Sequence, residues 1–488
     1  MGTPSTKRSH REPLELAWAS LSFLVPTIVS LLSKMGAIDL AYHLRAGEEV
    51  LSGHIPRIDT YTFTVAGTPW VDQQWAAQGV FAAIYRAGGW PLLEAAQALL
   101  VGITFFLVYL ATRNAGAKSR TASLLTLVGF LVASPGLGMR PQLLALPLFA
   151  ATLWVTAGRL DHPGRLWLAP VFAAAAANLH GSFTMLPLIV GLAWLEDRRT
   201  RSPQAHRTLL IAAVTAGSTL LNPFGLGAWT YAYDLSRNPV IRKTILEWAP
   251  TTIATIPGWF AIGSALAVVV YLVRRPRPTP WTALLTLGLF FLLALSAQRA
   301  IVWWGMITPV VLGALVRRED PEDGTVADTT DAPSSSPVPA YAIIGILVAG
   351  VLVLAPWWRG STYDRFLVAA PPGLTEAARE QLPAGTRTMV HQPWGSWFEF
   401  ALPDIPVFVD SRIEIVPKDI WQDYGQLGFA GAEWKDVLDR WQVEAIVAEA
   451  EWDLLPILKA DPDWRLAYED DDGALFVRAS PTTPATQP

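Results

Sequence analysis

The stretch "IDLAYHLRAGEEVLSGHIPRIDTYTFTVAGTPWVDQQW" occupies residues 38–75 and follows the first long apolar run of the chain. Helical spacing places Asp39 and His43 one turn apart on one face, whereas Leu40 and Leu44 belong to an apolar stripe. A helix with one polar and one apolar face is typical of a membrane surface. The stretch therefore predicts a helix along a membrane, with its polar side turned to water or to the protein interior.

The composition indicates a membrane protein. Of the 488 residues, 52% are hydrophobic and only 16% are charged, and the mean hydropathy is +0.32. A water-soluble chain of this length would need more surface charge. The net charge of −4 excludes the basic face of a nucleic-acid binder. With no cysteine and no His-x-x-x-His pair, we predict no cofactor, although a divalent metal stays open.

Apolar segments recur along the chain, and several are shorter than the roughly 20 residues expected for a perpendicular membrane crossing. About eleven are expected, although the 166–179 and 182–196 pair is also compatible with a re-entrant hairpin. They are residues 14–35, 90–112, 121–137, 141–158, 166–179, 182–196, 208–221, 257–273, 281–297, 300–316 and 340–356. The sequence thus predicts a mainly α, polytopic membrane protein.

Basic residues set the expected orientation. The N-terminus and every second connection hold 17 Lys and Arg residues, and the other connections before the C-terminal region hold 9 over a greater length. The positive-inside rule assigns the richer set to the cytoplasm. The N-terminus is therefore predicted to be cytoplasmic, with the first loop (37–89) and the C-terminal region outside the cytoplasmic membrane.

Changes in composition predict the domain boundaries. The segment 319–339 is acidic and rich in Ser, Pro and Thr, which is typical of a disordered linker. The predicted parts are a cytoplasmic tail (1–12), a transmembrane domain (13–318) with a large first outer loop (37–89), the cytoplasmic linker (319–339), a last transmembrane helix (340–358), an extracytoplasmic α/β domain (359–480) and a disordered tail (481–488).

The C-terminal domain alternates predicted strands with helical patterns, which favours a small α/β fold. Strands are predicted at 388–391, 406–410, 444–449 and 464–469, with a hairpin through "DDDG" into "ALFVRA". Asp410 and Arg412 follow one of these strands, where ligand sites of α/β proteins often form. An internal salt bridge between them is the alternative.

Polar residues collect at the predicted outer ends of the spans. Arg140, His180 and Arg299 lie beside apolar segments, and a guanidinium there needs an anionic partner or a hydrated cavity. The planar fork of arginine suits phosphate. A carboxylate such as Asp39 can act as general base toward an acceptor hydroxyl, unless it only caps its helix. We expect these four residues to converge on one cavity open to the outer leaflet.

The 38–75 stretch also resembles the first outer loop of bacterial multi-pass proteins in the GT-C glycosyltransferase superfamily. That loop reads Asp-x-x-x-His-Leu-x-x-Gly, then Ile-Pro-x-x-Asp, then Trp-x-x-x-x-Trp. Further similar motifs are "MRPQLLALPLF" (139–149), "NLHGSF" (178–183), "LNPFG" (221–225), "EWAP" (247–250), "WGSWFEF" (394–400) and "VFVDSRIEIVPKDIWQDY" (407–424). The resemblance covers residues 37–478 and implies a GT-C-like fold.

The resemblance also implies a chemistry. Members of the superfamily use polyprenyl-phosphate-linked donors and an acidic residue in the first outer loop. Asp39 matches this acid, and Asp59 and Asp72 are second candidates. The residues expected near the donor phosphate are Arg140, His180, Arg299 and His43. The superfamily's adjacent acidic pair is absent from this loop, which leaves metal dependence and retained activity open.

Together these patterns predict a glycosyltransferase that moves a sugar from a lipid-linked donor to a hydroxyl on an envelope glycan, lipid or protein, in contact with membrane lipids. No nucleic-acid partner is expected. One alternative is a transporter or flippase of a lipid-linked glycan, although no convincing internal repeat is present. Another is an inactive relative that scaffolds envelope assembly.

Overall fold

The computed structural model describes residues 11–238, 245–317 and 338–479, so most of the predicted N-terminal tail, linker and C-terminal tail lie outside the described residues. The helices of the described part are α1 (Arg11–Leu31), α2 (Leu40–Leu51), α3 (Trp75–Asn114), α4 (Ser119–Ala133), α5 (Pro141–Ala157), α6 (Ala169–Ala177), α7 (Met185–Arg199), α8 (Ala205–Ser218), α9 (Gly227–Arg237), α10 (Ile256–Arg274), α11 (Trp281–Ser296), α12 (Ile301–Arg317), α13 (Val338–Val353), α14 (Pro372–Gln381), α15 (Gln392–Ala401), α16 (Lys418–Gly428), α17 (Trp434–Arg440) and α18 (Leu455–Ala460). The strands are β1 (Thr388–Val390), β2 (Ala445–Glu449), β3 (Trp464–Glu469) and β4 (Gly473–Arg478).

Every apolar segment predicted from the sequence contains a helix. Within the described ranges, five helical segments are long and apolar enough to cross a membrane, namely 12–31, 75–114, 256–274, 298–317 and 338–359. The doubtful pair remains short, because α6 has nine residues. At 1.5 Å per residue it is about 14 Å long, roughly half the thickness of a hydrocarbon core.

The chain forms two compact units, and the first comprises residues 1–33, 94–230 and 242–359. Its helices pack side by side, and α4 lies against α12 where Gly129 meets Gly305. A Cβ atom on either glycine would collide with the backbone carbonyl of the other. This close approach explains the two glycines, since small residues let apolar helices come together without a hydrophobic driving force from water.

The second unit comprises residues 34–93, 231–241 and 360–488. It therefore joins the first predicted outer loop to the C-terminal α/β segment. Its sheet has the order β1-β2-β4-β3, with β1 and β2 parallel and the other pairs antiparallel. The predicted hairpin is present, because Asp470 and Gly473 close the turn between β3 and β4 by hydrogen bonds.

One predicted strand is wrong. Residues 406–410 form only isolated bridges, in which Val407 pairs with Thr62 and with Thr388. The segment is apolar because Val407, Phe408 and Val409 are fully buried, not because it belongs to the sheet. The chain turns away at Asp410, whose side chain accepts hydrogen bonds from Arg412 two residues later.

The long helix α3 is interrupted near its middle. Gly88 and Gly89 have non-helical backbone angles, and Gly89 has φ of +61°. Residues with a Cβ atom rarely adopt that conformation, so glycine is required at the break. Pro91 follows at once and begins the next helical stretch, where its missing N–H leaves no hydrogen bond unmade.

Candidate functional site

Asp39 lies at the first turn of α2 in the second unit. It occupies the N-cap position, but its side chain makes no capping hydrogen bond. One carboxylate oxygen instead lies 3.9 Å from Nε2 of His43, and 24% of the Asp39 side chain is exposed. Asp39 is therefore an accessible acid that is not used as a cap.

One turn after Asp39, the buried side chain of His43 contacts Gln78, which in turn contacts Asp72. Its Nδ1 lies 3.4 Å from Nε2 of Gln78, and the same amide donates to Asp72 at 2.8 Å. With the amide in this orientation, Nδ1 of a neutral His43 accepts a hydrogen bond and the ring proton is on Nε2, toward Asp39. His43 thus connects the accessible acid to a second, buried one.

Asp72 differs from Asp39 in being almost fully buried. Burial raises the pKa of its carboxyl to about 8, against the hydrogen bond from Gln78 and the charge of Arg412, which lower it. Its Oδ2 has no hydrogen-bond partner in the structure. A carboxyl in this state is mostly protonated at neutral pH, so Asp72 is poorly suited to be the general base.

The raised pKa of Asp72 predicts a pH-dependent stability. From about pH 4 to pH 8 the folded state binds more protons at this site than the unfolded state, so stability falls as pH rises. Asp72→Asn imitates the protonated acid, and its stability relative to the wild type should therefore increase by up to about 1.4 kcal/mol per pH unit in this range. Thermal unfolding of the detergent-solubilised protein across this range measures the difference. Parallel profiles for the two proteins would contradict the assignment, and exposed Asp404→Asn serves as the control.

Asp59, Asp410 and Arg412 form one fully buried cluster. The Arg412 guanidinium donates to Asp410 at 2.6 Å and to Asp59 at 2.5 Å, and it lies 3.9 Å from Glu399. Asp59 also accepts hydrogen bonds from the backbone of Tyr61 and from Thr62. Because both oxygens of Asp59 are occupied and Arg412 is inaccessible, these contacts support the internal salt bridge rather than an open ligand site.

The charges in this cluster depend on one another. Burial lowers the pKa of Arg412, but the charges of Asp410, Glu399 and Asp59 outweigh it and hold the pKa well above its usual value. Burial and the neighbouring charge of Asp410 raise the pKa of the Glu399 carboxyl well above its usual range. For Asp410, the charge of Arg412 overcomes the effect of burial and lowers the pKa. The arginine and Asp410 therefore favour each other's charged forms, whereas burial and the charge of Asp410 oppose ionisation of Glu399.

Aromatic rings enclose the same arginine. Its guanidinium carbon lies 4.6 Å from the ring centroid of Tyr61, 4.7 Å from Trp70 and 5.8 Å from Tyr42. Such contacts stabilise a cation that has left water. They also tie the motif "TPWVDQQW" and helix α2 to the segment that carries Arg412.

In the first unit, three positions predicted from the sequence lie on neighbouring elements. Nη2 of Arg299 is 3.2 Å from Nε2 of His180 and 3.4 Å from Oε1 of Gln142, which lies in the first turn of α5, next to its N-cap residue Arg140. The guanidinium also lies over the Trp248 ring, 4.3 Å from its centroid. Nδ1 of His180 faces the backbone N–H of Ser182 and Nε2 faces the arginine, and because a neutral imidazole has one acceptor nitrogen it accepts only one of these two hydrogen bonds.

Arg140 joins this group through an ion pair with Glu247. Glu247 precedes Trp248, so the two arginines face adjacent residues of one short helical turn. The sequence analysis assigned no role to Gln142, Glu247 or Trp248. Their only signal was membership of the motifs "MRPQ" and "EWAP", which carried the family resemblance.

The nine predicted site residues divide between the two units. Arg140, His180 and Arg299 lie in the first. The others, which lie in the second, are Asp39, His43, Asp59, Asp72, Asp410 and Arg412. The convergence of Asp39 with the arginines on one cavity stays a prediction. Within the described ranges, no group of three or more His, Asp or Glu residues is arranged to hold a metal ion.

Comparison with known proteins gives a fold but no sequence family. No family model matches the chain, and no curated protein matches it significantly. The crystal structure of ArnT from Cupriavidus metallidurans bound to undecaprenyl phosphate matches with a TM-score of 0.50 over 99% of this chain and 100% of that chain. The chain has a GT-C-like fold.

The apo state of the same ArnT matches equally well, with a TM-score of 0.52 over 96% of this chain and 98% of that chain. In both comparisons the sequence identity is 14%. ArnT is a GT-C glycosyltransferase, so the fold expected from the motifs of the sequence is confirmed. The GT-C-like fold accounts for nearly the whole length of the chain, including the residues of both units.

Proposed function

We propose that this protein is a membrane glycosyltransferase that transfers a sugar from a polyprenyl-phosphate-linked donor to an acceptor hydroxyl on the outer side of the cytoplasmic membrane. The observation that carries the proposal is the contact of Arg299 with His180 and Gln142 in a chain that has the fold of ArnT. ArnT binds undecaprenyl phosphate, which is a polyprenyl phosphate. The arginine group is a fitting counterpart for such a phosphate.

In this proposal, Asp39 is the general base. The acceptor hydroxyl gives its proton to the Asp39 carboxylate while its oxygen attacks the anomeric carbon of the sugar. The bond between that carbon and the phosphate oxygen breaks, and polyprenyl phosphate leaves with the bonding electrons. Nε2 of His43 lies 3.9 Å from the Asp39 carboxylate, close enough for an electrostatic influence on the base but too far for a hydrogen bond.

Arginine side chains balance the negative charge that develops on the departing phosphate. Arg299 is the main candidate, because a guanidinium can donate two parallel hydrogen bonds to phosphate oxygens. Arg140 is held by Glu247 and lies near the same short turn, so it adds positive charge next to an acid that keeps it in place. His180 and Gln142 both contact Nη2 of Arg299, and no other guanidinium nitrogen is needed for these two contacts.

The proposal is tested with the purified full-length protein in liposomes that contain a radiolabelled polyprenyl-phosphate sugar. A glycosyltransferase releases polyprenyl phosphate and moves label into an added membrane extract. A flippase moves the intact lipid between leaflets without breaking the bond, and that result would replace the proposal with transport. Absence of both activities with every donor offered would favour the scaffolding relative.

Arg299→Gln should weaken the donor interaction specifically. We expect KM for the donor to rise and kcat/KM to fall by about 100-fold, since a charge-assisted contact to the phosphate is lost. Arg299→Lys should recover only part of this loss because lysine lacks the planar fork. Exposed Arg57→Gln removes the same charge elsewhere and should leave the kinetics unchanged. Equal activity of Arg299→Gln and wild type would remove Arg299 from the donor site.

A further inference from the structure

A second cavity lies in the first unit, away from the arginine group described above. Its volume is about 340 Å³, and it is lined where the last turns of α3, α5, α7 and α12 meet the first turn of α11. Its lining has an apolar part and a polar part. Leu153, Ile189 and Val310 form an apolar part, and the ends of the helices supply the polar part.

The acids around this cavity are already neutralised. Arg159 donates three hydrogen bonds to the two oxygens of Asp197 at 2.7–3.2 Å, and Thr208 adds a fourth to that carboxylate. Glu196 receives two hydrogen bonds from Arg199, at 2.6 and 2.9 Å. Each carboxylate therefore has its own arginine.

Among the described residues, one arginine that lines the cavity has no carboxylate partner. Arg317 ends α12 and lines the cavity, and its aliphatic stem lies over Gly116. The described part of the chain offers its exposed guanidinium no carboxylate and no hydrogen-bond acceptor within reach. Because the two ion pairs cancel, the polar end of the cavity carries one excess positive charge.

One further group favours an anion there. The hydroxyl of Thr156, a residue 94% buried on the cavity wall, has no hydrogen-bond partner in the structure. The first turn of α11 is not available in the same way, because Thr282 donates its hydroxyl proton to the Glu196 carboxylate. An arginine and an unpartnered hydroxyl thus border one space.

The geometry points to a binding site for an anionic phospholipid, whose phosphate lies near Arg317 and Thr156 and whose acyl chain follows the apolar wall. The apolar wall favours a lipid over a free anion, since a free anion would leave that part of the cavity without a partner. By the distribution of basic residues, this end of the bundle is the cytoplasmic one. The site is independent of the proposed transferase site and does not require its chemistry.

Native mass spectrometry of the full-length protein in a neutral detergent tests the inference. The probes are dihexanoyl phosphatidylglycerol, dihexanoyl phosphatidylcholine and inorganic phosphate. We expect phosphatidylglycerol to bind at least about tenfold more tightly than phosphatidylcholine, and Arg317→Gln to remove that preference, because one charge-assisted contact contributes a factor of this size. Arg277→Gln, an exposed arginine of a nearby connection that does not line the cavity, should keep it.

A second variant separates the cavity from general surface charge. Thr156→Val keeps the side-chain shape and removes only the hydroxyl, so it should weaken phosphatidylglycerol binding while the thermal unfolding midpoint without lipid stays the same or rises. Unchanged lipid preference in Arg317→Gln, or an equal loss in Arg277→Gln, would overturn the inference. Binding of inorganic phosphate as tight as that of the lipid would overturn it as well, because the site would then be an anion site without a lipid.

Discussion

Replacing Asp39 with asparagine is expected to lower sugar transfer by about 100-fold to 10,000-fold, the range over which a positioned general base contributes to catalysis. Asparagine has nearly the shape of aspartate and cannot accept the proton of the acceptor hydroxyl. It is also an equally good N-cap residue, so any capping contribution is retained. The variant therefore separates the two interpretations of Asp39 that the sequence leaves open. The rate of transfer at saturating donor is the decisive measurement.

The same variant should bind the donor normally, because the phosphate is held by the arginine group in our proposal. A fall in kcat with little change in donor affinity would distinguish Asp39→Asn from Arg299→Gln, in which affinity changes. Asp404→Asn is the matched control, since Asp404 is an exposed acid of the same unit. If Asp39→Asn transferred sugar at the wild-type rate, Asp39 would not be the base. The proposed mechanism would then be supported by the fold alone.

Replacing Arg412 with methionine is expected to produce the largest loss of stability, about 3–5 kcal/mol. The substitution leaves the Asp59 and Asp410 carboxylates buried without their cation, while the methionine side chain fills much of the space. The loss should be smaller at acidic pH, because protonation of the abandoned carboxylates removes the buried charge. Thermal unfolding and limited proteolysis of the full-length protein at several pH values measure both effects.

Two comparisons make this prediction specific. Arg379→Met disrupts an exposed pair with Glu376 and should cost less than about 1 kcal/mol. Adding Asp410→Asn to Arg412→Met should recover part of the loss, since the two residues act as a unit and their effects are not additive. A cost for Arg412→Met that matched the exposed control would show that the cluster contributes little to stability.

Local patterns were sufficient for the helices but not for the pairing of distant segments. Each apolar segment contains a helix, because apolar runs of that length have few other structures available in a membrane protein. The strand predicted at 406–410 is wrong because strand pairing depends on a distant segment. A buried apolar run that ends at a turn near Asp410 has the same sequence pattern whether or not the segment joins a sheet, and only the position of β1 decides between them.

In the candidate site, too, some residues were recognised from local sequence patterns and others were not. Arg299 and His180 were recognised because charged side chains beside apolar spans are unusual. Gln142, Glu247 and Trp248 were not, since a glutamine or tryptophan near a helix end is common in any membrane protein. Arg412 was identified as a candidate, but three of its partners, Tyr42, Tyr61 and Trp70, come from a part of the chain more than 300 residues away, and no local pattern relates them.

The ion pair between Asp59 and Arg412 joins residues that are 353 positions apart. During synthesis the first predicted outer loop emerges long before its arginine exists, and every helix from α3 to α15 is made in between. Until Arg412 arrives, Asp59 has no cation to hold it in an apolar interior, and the aromatic enclosure of Tyr61 and Trp70 has nothing to surround. We therefore expect the loop that carries Asp39 to mature last, so that a nascent chain cut short before residue 412 would be membrane-inserted yet inactive. Folding of this loop therefore depends on the C-terminal segment that carries Arg412.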